Sequence, residues 1–506
     1  MSASREKKKR QEFLASGAVD PKAVRAAEQA AADKKSKTMY TLLAVIFVVV
    51  AIALVVYNSG VLQRNKTAVT LDGTEYTVGE MSYYYGNVYQ NLLSQYGNYV
   101  GLIGLDTSKS LKDQPAWGSG EQSWDEYFKE QSVDTLTFVH AALAKANEAG
   151  MTLSETELAS YENTIAAVKE NASANGYTYK SYLAAMFGSY VTPEIYETQL
   201  KNTMLADKYA QSVYDGITYT DDEIQAYYEE NKNSYDLVDA EYISLNATVA
   251  ATTDDEGNTI EPTEEEQKAA NEAAAGRMEE LLEMAQGGVD LADLAEPEDL
   301  SYITNDEMGY SSTVYGEWLF ADERKVGDME VLVNEDTNMY YLVAFHGRFQ
   351  DETPSTYSVR HILIDETSQE LAENEEVTDE LIHAAAELVL SGWDGTEEGF
   401  AALAEQHSTD AGSKTNGGLY EDVAQGTMVT EFEDWCYAEG RKVGDTGLVD
   451  SDYGTHIMYF VGYGDEASWH ANCKAAMVSD AYEAWQTELL EGVTAETQSG
   501  MNSVGR

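Results

Sequence analysis

EWLFADERKVGD at 317–328 and DWCYAEGRKVGD at 434–445 agree at seven of twelve positions, 117 residues apart. Each reads as the end of a helix, a glycine turn at Val-Gly-Asp, and the start of a strand. Working outward, each block has the same neighbours in the same order. Before the first come a strand-like run at 240–245 (AEYISL) and helical patterns at 264–286 and 290–296; after it comes MYYLVAF at 339–345. Around the second stand YSVRHILI at 357–364, helical patterns at 379–390 and 399–406, and HIMYFV at 456–461. The spacing predicts a duplicated α+β unit of about 110 residues. The acidic stretch 252–267 in the first copy reads as a mobile loop inserted into it.

Upstream, 67–235 predicts helices. Tyr85, Val88, Tyr89, Leu92, Leu93 and Tyr96 recur at three- and four-residue spacing within 81–99. Such a stripe is either core or a client-binding face. Further helical patterns occupy 132–149, 154–174 and 193–214, with Thr152, Thr192 and Thr220 placed as N-caps before acidic residues. The segment 467–493 is amphipathic again, with Trp469, Ala476, Met477, Ala481, Trp485 and Leu489 along one side.

Of the 32 Lys/Arg and 89 Asp/Glu in 506 residues, ten and five fall in the first 38, leaving 22 basic against 84 acidic side chains. A body carrying −62 repels phosphates, so nucleic-acid binding is excluded and basic partners are favoured. No charged residue lies between Lys37 and Arg64, and YTLLAVIFVVVAIALVVY at 40–57 ends in a tyrosine on each side. Eighteen helical residues span about 27 Å, close to a bilayer's hydrocarbon thickness. The tyrosines suit the two interfacial belts and the basic flank predicts the N-terminus inside, with everything after residue 64 outside. The long preceding segment and the lack of a small-residue cleavage site argue against a removed signal peptide. Cys436 and Cys473 fit no metal spacing; they read as two buried thiols or as a pair.

Three of the seven histidines stand at suggestive places in the second copy: His361 on its first strand, His407 by a helix end, His456 on its last strand. Two histidines on adjacent central strands can be a hydrogen-bonded core pair. No third or fourth ligand accompanies them, so no metal is expected. A triad of Ser408, Asp410 and His456 can be assembled on paper, without a nucleophile elbow to support it.

VRHILI (359–364), FAALAEQHSTD (400–410), the Gly417-Gly418 pair, MVTEFED (428–434) and YGTHIM (453–458) together resemble the parvulin family of peptidyl-prolyl isomerases over 355–464. The resemblance implies catalytic-site roles for His361 and His456 as paired histidines and for Asp410 facing the substrate amide. It implies Ser451 and Tyr453 in the same hydrogen-bond network, and Met428, Phe432 and Leu363 gripping the proline ring, with no cofactor and no metal. Where the family continues Gly-Gly with Asp-Leu-Gly, this chain has Leu419-Tyr420-Glu421, and Tyr420 is expected to reshape the pocket rim and lower activity. Asp365 and Glu366 stand where phosphate-directed parvulins carry basic residues, which argues against phospho-Ser/Thr-Pro substrates. In the first copy, alignment on RKVGD sets Met339 opposite His456 and Ser311 opposite Met428, while Tyr242 falls opposite His361 and Ser301 near Asp410. That copy reads as a degenerate, inactive parvulin-like domain.

The whole arrangement resembles the PrsA/SurA-type extracytoplasmic foldases, with looser signals in WDEYF from Trp124 and DDEIQAYYEEN at 221–231. The expected organisation is α+β: a cytoplasmic basic tail (1–38), a transmembrane helix (39–61), a helical chaperone domain (67–235), a degenerate parvulin-like domain (236–350), a parvulin domain (355–464), and a C-terminal helix (466–496) returning to the helical domain. The expected function is a single-pass, membrane-anchored isomerase and chaperone acting on unfolded, newly exported polypeptides with X-Pro bonds; a homodimer is compatible with it. The alternative is a non-catalytic holdase or scaffold, which the altered 417–421 loop favours.

Overall fold

A computed structural model describes residues 3–15, 41–52, 54, 59–118, 120–254, 257–298, 300–368, 371 and 377–505. The chain divides into two compact units, 1–217 with 482–506, and 218–481.

In the first unit, strands β1 (Thr67–Leu71) and β2 (Thr74–Thr77) precede five helices: α1 (Val78–Tyr96), α2 (Trp124–Glu148), α3 (Glu155–Ala174), α4 (Tyr179–Phe187) and α5 (Pro193–Gly216). Their starts follow from local chemistry. Thr77/Glu80, Ser123/Glu126 and Ser154/Glu157 form capping boxes, each satisfying two backbone amides that a helix start leaves free. Ser154, not Thr152, caps α3, and Glu157 three residues on returns the bond to the Ser154 amide. Thr192 caps α5 as its position predicts.

The tyrosine stripe resolves as core. Tyr83, Tyr84, Tyr85 and Tyr89 are buried against Trp124, Phe128 and Tyr196, with Val88, Leu93 and Tyr96 packed around them. Their hydroxyls find partners, Tyr84 donating to Gln199 Oε1 (3.1 Å) and Tyr85 to Asp125 Oδ1 (3.2 Å), as burial of a phenol requires. The C-terminal residues join this unit: Ala495–Thr497 pairs antiparallel with β1, and Met501 and Val504 enter its core. Trp485 meets Phe138 and Tyr209 edge-on or tilted.

Among the described residues no helix is long and apolar enough to cross a membrane. The expected span at 39–61 lies partly outside the described residues; 41–52 and 54 are helical, and Leu42, Phe47, Val49 and Ile52 are more than half exposed.

In the second unit, helix α6 (Asp221–Asn231), capped by Thr220 and Glu223, leads into two four-stranded antiparallel sheets. The first contains β3 (Asp236–Asn246), β6 (Ser301–Met308), β7 (Met329–Asn334) and β8 (Met339–Gln350) in the order β6-β3-β8-β7. The second contains β9 (Thr356–Ile364), β10 (Leu419–Ala424), β11 (Thr446–Ser451) and β12 (Gly454–Tyr463) in the order β10-β9-β12-β11. Numbered within each copy, the order is the same. Helices α7 (Glu264–Gln286), α8 (Leu291–Ala295) and α9 (Val314–Leu319) serve the first sheet. The second has α10 (Asp379–Ser391), α11 (Glu397–His407) and α12 (Thr430–Tyr437). The unit closes with the start of α13 (Ser468–Leu490), where Cys473 is buried with Ile224 and Tyr228. The acidic insertion is not wholly loop: β4 (Thr252–Thr253) and β5 (Thr259–Ile260) pair as a hairpin before α7 begins.

The arginine, glycine and aspartate of the repeated turn each have a task. Arg324 lies over the Trp318 ring at 4.4 Å and Arg441 over Trp435 at 3.7 Å, the same cation–π clasp twice. Gly327 (φ 92°) and Gly444 (φ 89°) occupy left-handed backbone that a side chain disfavours. Asp328 accepts from the Lys325 amide (3.0 Å) and Asp445 from the Lys442 amide (2.8 Å), closing each turn.

The register corrects one alignment. Leu332, four residues past Asp328, pairs with Tyr341; Val449, four past Asp445, pairs with His456. Tyr341 therefore occupies the place of His456, and Met339 does not. The β7–β8 hairpin carries four loop residues (335–338) against two (Asp452, Tyr453) in β11–β12, and such insertions cost little in a surface turn. Ser301 is not at the place of Asp410 either: it sits on β6 opposite Ser244, and residues 296–300 replace the longer loop that carries Asp410. Tyr242 pairs with Val343 as His361 pairs with Met458, so those two positions do correspond.

Candidate active site

Alternation along β9 puts Tyr357, Val359, His361 and Leu363 on one face, and Ile362 and Ile364 on the other against α10 and α11. β12 sends His456, Met458 and Phe460 to the same face as His361. His456 lies opposite Leu363 and diagonal to His361, so the two imidazoles meet across the central strand pair. Their Nδ1 atoms are 3.2 Å apart and the rings stack at 5.4 Å and 24°. Both are buried, at 4 % and 6 % exposure. Helix α12 lays Phe432 edge-on against both rings, 5.4 Å from each. Met428 and Tyr420 pack into the same cluster.

The polar groups form a directed chain when both imidazoles are neutral. His361 Nε2–H donates to Asp410 Oδ2 (2.9 Å), leaving its Nδ1 to accept from His456 Nδ1–H. His456 Nε2 then accepts the Ser451 hydroxyl (2.8 Å), and Ser451 Oγ accepts the Tyr453 amide (3.2 Å). Burial, and then the neighbouring His361, push the His456 imidazole down to about 4.

Asp410 anchors the chain. Its Oδ2 accepts from His361, from the Tyr420 hydroxyl (3.0 Å) and from the Ser413 hydroxyl and amide; its Oδ1 accepts the Gly412 amide (3.0 Å). The His361 bond leads a set of donors that hold this carboxyl far below the ordinary carboxylate range, against the opposing effect of burial. Gly418, adjoining this loop, has φ 72° and its carbonyl accepts the His361 amide (2.8 Å); a Cβ there would lie 2.2 Å from the His361 carbonyl.

The structure thus brings together His361, Asp410, His456, Ser451, Phe432 and Met428, with Leu363 half-buried beside them. Tyr453 joins the network through its amide, while its side chain is 65 % exposed. The paper triad does not form, because Ser408 Oγ is engaged by the Leu363 and Asp410 amides. Ser413, which the sequence does not single out, and Tyr420, expected only at the pocket rim, both bond Asp410; the nearby Gly-Gly pair is the available signal for Ser413. Among the described residues no cluster of His, Cys, Asp or Glu could hold a metal ion. Cys436 and Cys473 are separate buried thiols, pushed by burial up to about 12 and about 11.

In the first copy the corresponding face holds Tyr242, Tyr315 and Tyr341, with ring centroids 4.8–5.9 Å apart. Tyr315 stands 117 residues before Phe432, as Ser311 does before Met428. The scaffold is retained and its imidazoles are replaced by phenols.

Beside the second site lies a cavity of about 560 Å³ that shares Ser451 with the chain and is walled by Glu380, Glu387, Glu431, Asp450 and Asp452. His383 in this wall bonds Asp450 at 2.9 Å, which raises its pKa.

With this geometry in view, comparison with known proteins defines the class. Residues 340–461 match the PPIC-type PPIase domain, and residues 32–210 match the SurA-like N-terminal domain. The chain carries both domains, and its relatives are PrsA and SurA proteins. Foldase protein PrsA 1 of Listeria innocua is 33 % identical over 124 residues, 24 % of this chain and 36 % of the relative. Chaperone SurA of Chromohalobacter salexigens is 23 % identical over 383 residues, 72 % of this chain and 81 % of the relative. The matches to the Listeria PrsA proteins span 36–43 % of their lengths. The crystal structure of PrsA from Bacillus subtilis is 13 % identical, with a TM-score of 0.25, covering 76 % of this chain and 88 % of that one.

Proposed function

We propose that this chain is a membrane-anchored, extracytoplasmic peptidyl-prolyl isomerase and chaperone for exported polypeptides. The observation that carries the reading is the buried polar chain from Asp410 to Ser451 laid against the apolar Phe432 and Met428.

Rotation about X-Pro meets a barrier of about 18–20 kcal/mol because amide resonance is lost when the bond twists. Uncatalysed exchange takes on the order of 10–100 s at 25 °C. Catalysis needs no nucleophile: an apolar socket must hold the ring, and fixed polar groups must favour the twisted amide over the planar one. Phe432, Met428 and Leu363 are the socket. Asp410, saturated by donors, is suited to fixing the imidazoles rather than to taking a proton from substrate. The acidic wall around Ser451 favours clients with basic residues near proline and opposes phosphorylated ones.

Support for the anchor is the uncharged run 38–63 together with the exposed apolar helical residues at 41–52. Residues after 64 then lie outside the cytoplasm, with the helical unit receiving unfolded segments. A second reading, a holdase without isomerase activity, draws on the first copy, where phenols stand in place of both histidines.

The test is proline isomerisation in an X-Pro peptide by the full-length chain in detergent, beside Phe432→Ala, with suppression of client aggregation measured on both. The isomerase reading expects acceleration that falls at least about tenfold in the variant, while aggregation suppression persists. Aggregation suppression without any acceleration by the unmodified chain would establish the holdase instead.

A further inference from the structure

Tyr420 breaks the family pattern after the glycine pair, yet the site is built around it. On β10 it pairs with Val359 of β9, two residues from His361, and its ring lies 5.4 Å from the His361 ring at 39°. Its hydroxyl donates to Asp410 Oδ2 at 3.0 Å, the same oxygen that receives His361 Nε2–H. One side chain therefore touches both members of the pair at the head of the chain. The loop allows for it: a Cβ on Gly412 would lie 2.7 Å from the Tyr420 hydroxyl and 3.3 Å from Asp410 Oδ1. An aliphatic side chain at 420 could cover His361 but could not bond Asp410.

We propose that Tyr420 is a positioning residue of the isomerase site, its hydroxyl clamping Asp410 while its ring holds His361, so that the departure from the family pattern supports the site rather than degrading it. The inference rests on the isomerase reading. Transition-state stabilisation depends on polar groups held in place beforehand, so loosening Asp410 lowers kcat more than it weakens binding of the planar substrate.

The experiment compares the full-length chain with Tyr420→Phe, which keeps the ring and removes the hydroxyl, and Tyr420→Leu, which removes both. In Tyr420→Phe, kcat falls about tenfold with KM within about twofold, the size expected for losing one hydrogen bond to a carboxylate. Tyr420→Leu falls at least as far. The independent readout is the His361 Nε2–H resonance in chain carrying 15N-histidine, assigned by its loss in His361→Asn. It moves downfield in Tyr420→Phe, because a carboxylate deprived of one donor pulls harder on those remaining. Should Tyr420→Phe fail to fold, Gly412→Ala displaces the hydroxyl instead and is expected to give the same signature. Unchanged kcat in Tyr420→Phe, or a raised KM alone, overturns the proposal, as does an unmoved resonance. Were the unmodified chain inactive, the isomerase reading would fall, and the resonance would still decide whether the clamp exists.

Discussion

At the scale of the residue, buried His456 makes stability depend on pH in a stated direction. An unfolded imidazole takes its proton near 6.5, whereas folded His456 does so only near 4. Between those values the unfolded chain binds more protons, so the contribution of neutral His456 is complete above pH 6.5 and declines as pH falls toward 4. The span corresponds to about 3 kcal/mol. Urea unfolding at pH 7 and pH 4.5 should show a smaller loss in His456→Gln than in the unmodified chain; equal losses would mean that the imidazole is not desolvated. Asp410 acts at lower pH, stabilising the fold while ionised and ceasing to do so as it is protonated. Its replacement by Asn keeps the shape but turns one oxygen into an NH2 group, which faces either the donors of Oδ2 (His361, Ser413 and Tyr420) or the Gly412 amide at Oδ1. A loss of about 2–3 kcal/mol in unfolding free energy is expected. His361, Asp410, His456 and Phe432 could be named from motif order alone because each sits in a short run of recognisable neighbours. Tyr453 could not be placed that way. Its amide bonds Ser451 while its side chain is exposed, and only coordinates separate the two.

At the scale of the element, the repeated turn explains its own repetition. Arginine clasps tryptophan, glycine takes the left-handed bend, and aspartate ties back to the lysine amide, in both copies and with nearly the same distances. Gly444→Ala should therefore cost about 1–2 kcal/mol through backbone strain, and Gly327→Ala a similar amount. Arg441→Lys should cost about 0.5–1 kcal/mol by losing the planar stack on Trp435. Shifts in urea midpoint read all three; a neutral Gly444→Ala would refute the left-handed assignment. The starts at Thr192 and Thr220 were legible because a cap is local chemistry, but at α3 both Thr152 and Ser154 stand three residues before a Glu, and only the structure selects Ser154. The strand register was not. Two extra residues in the β7–β8 hairpin moved Tyr341 into the place that sequence alignment assigned to Met339. A loop insertion leaves the periodicity on either side unchanged, and only pairing with β3 and β7 reveals it.

At the scale of the whole molecule, the charge distribution should be felt by substrates. The acidic wall of the 560 Å³ cavity beside Ser451 predicts a higher kcat/KM for Lys-Pro or Arg-Pro peptides than for phosphoserine-Pro peptides. That ratio should shrink as salt rises, because exposed charges are screened over about 10 Å at 0.1 M. Equal rates for the two peptides at low salt would remove the electrostatic selection. The sequence by itself determined the duplication, the helical character of the upstream region, the uncharged run 38–63 and the residue types at the second site. All of these are carried by local spacing, capping chemistry and composition. Tertiary structure alone decided that the tyrosines of α1 are core and that three phenols fill the first copy's site. It also set Tyr420 against Asp410. Each of these is a contact between segments far apart in the chain, and such contacts are selected by packing and hydrogen-bond geometry in three dimensions rather than by any local preference.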